Sequence, residues 1–212
     1  MAFQSVWYFT DLPDDVVNIV NRDLFDNFNH KMKESKLHGD GIDKKKRNSK
    51  NTWIPSSHWI AGFLWHYVQK ANRDNFLYGL SHIDAESMQY TEYGIGNFYN
   101  WHTDSSLQIH NQPKNPPYAA GETINNEIVH KNYLNEKTEL VRKLSFTLQL
   151  SSPDEYEGGN VQFIDETNKK YIAPRQRGAI ILFDSRVRHR VLKVTKGTRR
   201  SIVGWVVGPR WV

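Results

Sequence analysis

Phe98-Tyr99-Asn100-Trp101-His102-Thr103-Asp104 reads as a short β-strand, and the fold turns on it. Aromatic residues suit a pleated strand, and side chains two apart on a strand project to the same face. His102 and Asp104 therefore stand side by side, an imidazole next to a carboxylate. Two histidines and one carboxylate on one side of a metal leave the other positions open, the facial arrangement of non-haem iron oxygenases. A lone His-x-Asp arises often by chance, so it needs a second histidine from a distant strand.

Nine histidines are available, and His189 has the best setting. It follows Ala179-Ile180-Ile181-Leu182-Phe183, a run that reads as a buried strand, and it sits within Arg188-His189-Arg190-Val191-Leu192, strand-like in its own right. Arg199 and then Ser201 come next. A guanidinium fork pairs bidentately with a carboxylate, and a hydroxyl two residues along the same face adds a donor. Such an anchor requires His189 and Arg199 to open on one cavity. A three-residue hairpin loop, Thr195-Lys196-Gly197 with Gly197 left-handed, pairs Val194 with Thr198. It puts His189, Val191, Arg199, Ser201 and Val203 on one face, and that loop is predicted.

Working outward, short strands are predicted at 76–83, 88–93, 98–103, 144–150, 161–164, 179–183, 188–194 and 201–207. Gly94, Gly96, Gly158-Gly159, Pro174 and Lys196-Gly197 separate several of them. Ahead of them lie two helix signals. Pro13 stands near a start followed by Val16, Val17, Val20 and Leu24 at helical spacing. Ser56 or Ser57 is placed to cap a second helix with Trp59, Ile60, Phe63, Leu64, Tyr67 and Val68 on one face. His66 falls off that stripe and reads as partly exposed. Helices first and strands after predict an α+β fold in one domain, 1–212, whose strands close into a barrel or two-sheet jelly roll. A helical layer occupies about 1–75 and the β core about 76–207. The polar stretch of about 105–140, which includes His110, His130 and Pro113, Pro116 and Pro117, is long enough to read as a lid.

The bulk composition narrows the chemistry. With 212 residues and 38% hydrophobic content, the chain has the makings of a sizeable core. Cysteine is absent, which excludes disulfides, thiolate metal sites and cysteine nucleophiles. No secretory leader or membrane-length apolar run is read, so a soluble cytoplasmic protein is expected. The net charge of +5 admits an acidic partner. The densest basic run, Lys44-Lys45-Lys46-Arg47, reads as a solvated loop, and Arg186, Arg188 and Arg190 as an outer face opposite His189.

Tyr93-Gly94-Ile95-Gly96-Asn97-Phe98-Tyr99-Asn100-Trp101-His102-Thr103-Asp104 resembles the metal-binding segment of prolyl 4-hydroxylases, Tyr-Gly-x-Gly-x-x-Tyr-x-x-His-x-Asp. Arg142-Lys143-Leu144-Ser145, 154–164, 178–183, His189 and 195–201 extend the resemblance to bacterial hydroxylases of the prolyl/lysyl type, over roughly 76–207. The resemblance implies a double-stranded β-helix with helices packed on one sheet. It implies Fe(II) held by His102, Asp104 and His189, with 2-oxoglutarate and O2 as cosubstrates and ascorbate as an accessory. It implies that Arg199, Tyr93 and Ser201 bind the distal carboxylate of 2-oxoglutarate, with Tyr99 near the metal strand. The implied reaction is hydroxylation of a peptidyl proline, so a protein or peptide is the expected partner. The family has Pro where this chain has Trp101, which either lines a substrate groove or packs. An oxidative nucleic-acid demethylase of the same superfamily and a non-catalytic cupin-like binding protein are the competing readings.

Overall fold

The computed structural model describes residues 5–35, 44–105, 123–124, 127–128, 140–165 and 167–211. Most of the proposed lid, His110 and His130 included, therefore lies outside the described residues. In chain order the elements are β1 (Val6–Phe9), α1 (Asp14–Phe28), β2 (Lys33–Glu34), β3 (Arg47–Asn48), β4 (Lys50–Pro55), α2 (Trp59–Ala71), β5 (His82–Ile83), β6 (Ser87–Tyr93) and β7 (Phe98–His102). They continue with β8 (Thr123–Ile124), β9 (Glu127–Ile128), β10 (Leu140–Gln149), β11 (Tyr156–Gly158), β12 (Val161–Ile164), β13 (Lys170–Ile172), β14 (Ile180–Asp184), β15 (Arg188–Val191), β16 (Val194–Gly197) and β17 (Arg199–Pro209).

Two antiparallel sheets carry the fold. The major one runs β1-β14-β10-β17-β6-β4-β2, with β5 also on β17, and the minor one runs β13-β12-β15-β7-β3. From β6 onward the chain alternates between them: β6 major, β7 minor, β10 major, β12 minor, β14 major, β15 minor, β17 major. That alternation is the double-stranded β-helix, and the fold is α+β as expected.

The major sheet is two-faced. Met88 and Tyr90 of β6, Leu144, Phe146 and Leu148 of β10, and Ile202 and Val206 of β17 join one apolar core with Val17, Val20 and Leu24 of α1 and Ile60, Leu64 and Val68 of α2. Alternate residues on the same strands are polar yet buried: Gln89, Thr91, Ser145, Thr147, Gln149, Arg199 and Ser201. Period-2 alternation thus puts hydrocarbon under the helices and hydrogen-bonding groups on the opposite face. Gly204 lies opposite Phe146 in the β10–β17 register, and a Cβ there would come within 2.3 Å of the ring's Cζ.

Several expectations are corrected. The 76–83 stretch is not one strand. Asn72–Phe76 forms a π-helical turn, and the Asn72 side chain brackets Tyr78, accepting from its N–H (2.8 Å) and donating to its carbonyl (2.9 Å). This leaves only His82–Ile83 to pair. Helix α2 is capped by His58 instead of Ser56 or Ser57, its ring accepting from the Ile60 N–H. The N-terminal layer is not purely helical, since β1 and β4 add strands to the major sheet.

The predicted hairpin is also absent. β15 belongs to the minor sheet and β17 to the major one, while β16 pairs with β11 (Tyr156↔Gly197, Glu157↔Lys196). Gly197 is left-handed (φ 68°), as predicted, but for a different reason. Its missing side chain admits the Glu155 carbonyl, which would lie 2.0 Å from a Cβ.

Candidate metal and cosubstrate site

His102 ends β7 and stands directly opposite His189 on β15. Residues directly opposite on paired strands project to the same face, so the two imidazoles meet, with centroids 4.2 Å apart. Asp104 lies just past the strand end. Its N–H donates to the Ser185 carbonyl (2.9 Å), which ties it to the turn after β14. Its carboxylate oxygens lie 3.5 Å from His102 Nε2 and 3.5 Å from His189 Nε2. One donor atom from each of the three residues falls within a 4.8 Å group.

The protonation pattern follows from geometry. His102 Nδ1 lies 2.7 Å from the Asn100 carbonyl, and His189 Nδ1 lies 3.0 Å from the Val187 carbonyl. A carbonyl only accepts, so each Nδ1 carries a hydrogen and each Nε2 is turned toward Asp104. Burial pushes the His189 imidazole down to about 4, against the raising effect of Asp104. Burial alone would raise the Asp104 carboxyl; His189, His102 and Arg142 outweigh it and hold the group well below the usual carboxylate range. The result is an ionised carboxylate faced by the Nε2 atoms of both rings, with His189 held neutral. That donor set fits iron(II), and the hydrogen bonds behind each ring fix its orientation.

The cavity beside this cluster is walled by both sheets. Phe183 and Val161 give it apolar sides, and Phe183 meets the His189 ring edge-on (4.6 Å). Across the cavity, on the major sheet, stands Arg199. It is 2% exposed, its guanidinium lies 5.6 Å from the centre of the Tyr93 ring, and no carboxylate pairs with it among the described residues. A buried cation without a counter-ion is costly and suits an anionic ligand. Ser201, two residues on, is wholly buried, and its Oγ has no hydrogen-bond partner among the described residues. These groups fit the far carboxylate of a dicarboxylate.

The sequence-predicted residues are therefore brought together: His102, Asp104, His189, Arg199, Tyr93 and Tyr99 all line the cavity. Ser201 shares the strand face of Arg199 but does not line it. Tyr99 stacks on His102 (3.6 Å, 17°), and burial pushes its hydroxyl up to about 12. Trp101 points the other way, beside the guanidinium groups of Arg190 (4.5 Å) and Arg188 (5.8 Å) on the outer face. It packs there and is not a cavity residue. Arg186 leaves that face to grip Asp184 through two bonds (2.6 and 2.9 Å).

Sequence reasoning missed Arg47, Arg142 and Gln149. Lys44–Lys46 are exposed, as expected of a solvated loop, but Arg47 is buried in the cavity wall. It lies over Tyr99 (4.9 Å) and donates to Gln89 (3.1 Å) and Ser49 (2.9 Å). Arg142 joins Asp84 (2.7 Å), the Trp205 ring (4.2 Å) and the Asp104 carbonyl (3.4 Å). The 47–54 stretch went unread as strands because Arg47-Asn48-Ser49-Lys50-Asn51-Thr52 is uniformly polar and carries no apolar alternation.

A profile described as the 2OG-Fe(II) oxygenase superfamily matches residues 88–207. A PKHD-type hydroxylase of Parvibaculum lavamentivorans is 43% identical over 63 residues, covering 30% of this chain and 28% of that protein. The match thus spans under a third of that relative's length. A Pseudomonas putida prolyl-4-hydroxylase superposes with a TM-score of 0.64 at 17% identity, over 98% of this chain and 94% of that one. A Trichoplax adhaerens prolyl hydroxylase, solved with a hypoxia inducible factor oxygen degradation domain peptide fragment, gives 0.68 at 14%, over 95% and 83%. At these identities the structural likeness is one of fold.

Proposed function

Because the chain belongs to the 2OG-Fe(II) oxygenase superfamily, we propose that it is a hydroxylase of peptidyl proline, with iron(II) held by His102, Asp104 and His189 and 2-oxoglutarate anchored by Arg199. One observation carries this reading: a two-histidine, one-carboxylate cluster faces, across a single cavity, a buried arginine with no carboxylate partner among the described residues. Iron(II) supplies the oxidation in which 2-oxoglutarate, O2 and a C–H bond become succinate, CO2 and an alcohol.

The chain's own residues supply order. The Asn100 and Val187 carbonyls orient the two imidazoles, and the Ser185 carbonyl sets the backbone of Asp104. Arg199 binds the distal carboxylate, with Tyr93 and Ser201 beside it, while Tyr99 backs His102. Phe183 and Val161 keep water from the metal side. Arg47 and Trp205, a cation and a ring in the cavity wall, suit a peptide carbonyl and an apolar ring such as that of proline. The named structural neighbours, one of them solved with a peptide, support a peptide substrate.

The test is incubation with Fe(II), 2-oxoglutarate and proline-containing peptides, read by mass spectrometry. A gain of one oxygen on proline is expected. A gain on another residue, or loss of a methyl group from methylated oligonucleotides in place of any peptide product, overturns the substrate assignment.

A further inference from the structure

Arg199 is held by a neutral acceptor. Gln149 Oε1 accepts from Arg199 Nε (3.1 Å) and from Nη2 (2.8 Å). Both residues are buried, at 2% exposure each. Gln149 lies opposite Ser201 in the β10–β17 register, one same-face step from Arg199. A guanidinium presents two forks to a carboxylate, one side-on through Nε and Nη2 and one end-on through Nη1 and Nη2. Gln149 closes the side-on fork. The end-on fork meets no carboxylate among the described residues.

We infer that Gln149 is a positioning residue that turns the end-on fork of Arg199 toward the cosubstrate's distal carboxylate while leaving its charge uncompensated. This rests on the reading of Arg199 as the 2-oxoglutarate anchor. Neutrality is the essential property. A glutamate at the same place would supply an internal carboxylate, and a cation already paired in the protein interior has little left to offer a second anion. An amide orients the fork without quenching it. The residue type at 149 thereby sets how tightly a dicarboxylate is held.

The discriminating experiment titrates 2-oxoglutarate calorimetrically into Mn(II)-loaded wild type, Gln149→Glu and Gln149→Met, with the thermal midpoint and Mn(II) affinity of each protein measured alongside. Gln149→Glu is expected to weaken 2-oxoglutarate binding by about 100-fold while its midpoint holds or rises, because the new carboxylate pairs with Arg199. Gln149→Met is expected to weaken binding by about tenfold and to lower the midpoint, since two guanidinium donors lose their acceptor. Mn(II) affinity should be unchanged in both. Gln149→Glu binding within about threefold of wild type overturns the inference alone. So does a parallel loss of Mn(II) affinity, which would make Gln149 a general support of the fold. A wild type that takes up no 2-oxoglutarate overturns the functional reading and this inference with it.

Discussion

Replacing Gly204 by alanine tests the packing that holds the cavity's major wall. The new Cβ would lie 2.3 Å from Phe146 Cζ and 2.8 and 2.9 Å from its Cε atoms. Ordinary contact needs at least 3.4 Å, so the ring edge must retreat by about 1 Å. Phe146 is 1% exposed and belongs to the core cluster shared with Leu144, Leu148 and the helices, so its retreat disturbs packed neighbours. Overpacking of this kind costs about 1–3 kcal/mol. At about 2–4 °C per kcal/mol for a domain of this size, the thermal midpoint should fall by about 2–12 °C. A calorimetric scan measures it. Trimming the partner should restore part of the loss: Phe146→Leu in the Gly204→Ala background should couple favourably by about 1 kcal/mol in a double-mutant cycle. A Gly204→Ala midpoint within about 1 °C of wild type, or strict additivity in the cycle, would refute the packing argument.

Three further outcomes are expected. Trp101→Leu, on the outer face beside Arg188 and Arg190, should lose about 1 kcal/mol of stability and leave metal and 2-oxoglutarate affinities unchanged by calorimetry. Arg142→Met removes the guanidinium 2.7 Å from the buried Asp84 carboxylate and releases the Asp104 carbonyl. A loss of about 3 kcal/mol in urea unfolding, with weaker metal binding, should follow. Asp184 titrates low although burial would raise it, because Arg186 and Tyr78 bond to the ionised form. A depressed carboxyl stabilises the fold above its unfolded value near about 4 and loses that contribution as pH falls through its folded value, so Asp184→Asn should flatten the acid limb of the stability curve.

Local spacing made much of this legible. His102 and Asp104 share a face because they are two apart on a strand, and His189 stood out through its strand-like setting. The prediction that His189 and Arg199 share a cavity was correct, yet its route was not. The expected hairpin required 194–197 to fold back on the next strand, whereas that segment pairs with Tyr156–Gly158. The two residues face each other from different sheets. Such a pairing between distant segments leaves no mark in Lys196-Gly197 itself. Arg47 was unreadable for the same reason, since its burial depends on register with Tyr99. The buried polar face of the major sheet also went unread, because glutamines and threonines on strands usually signal solvent. Here Gln89 and Gln149 serve the two buried arginines.

Succinate release from 2-oxoglutarate tests the central claim most directly, with Fe(II)-loaded wild type compared against His102→Ala and His189→Ala in the presence of O2 and a prolyl peptide. The account predicts succinate from wild type, in step with hydroxylated peptide, and none above background from either variant. Succinate at the wild-type rate from a variant lacking an imidazole, or none from wild type under any substrate, would contradict it.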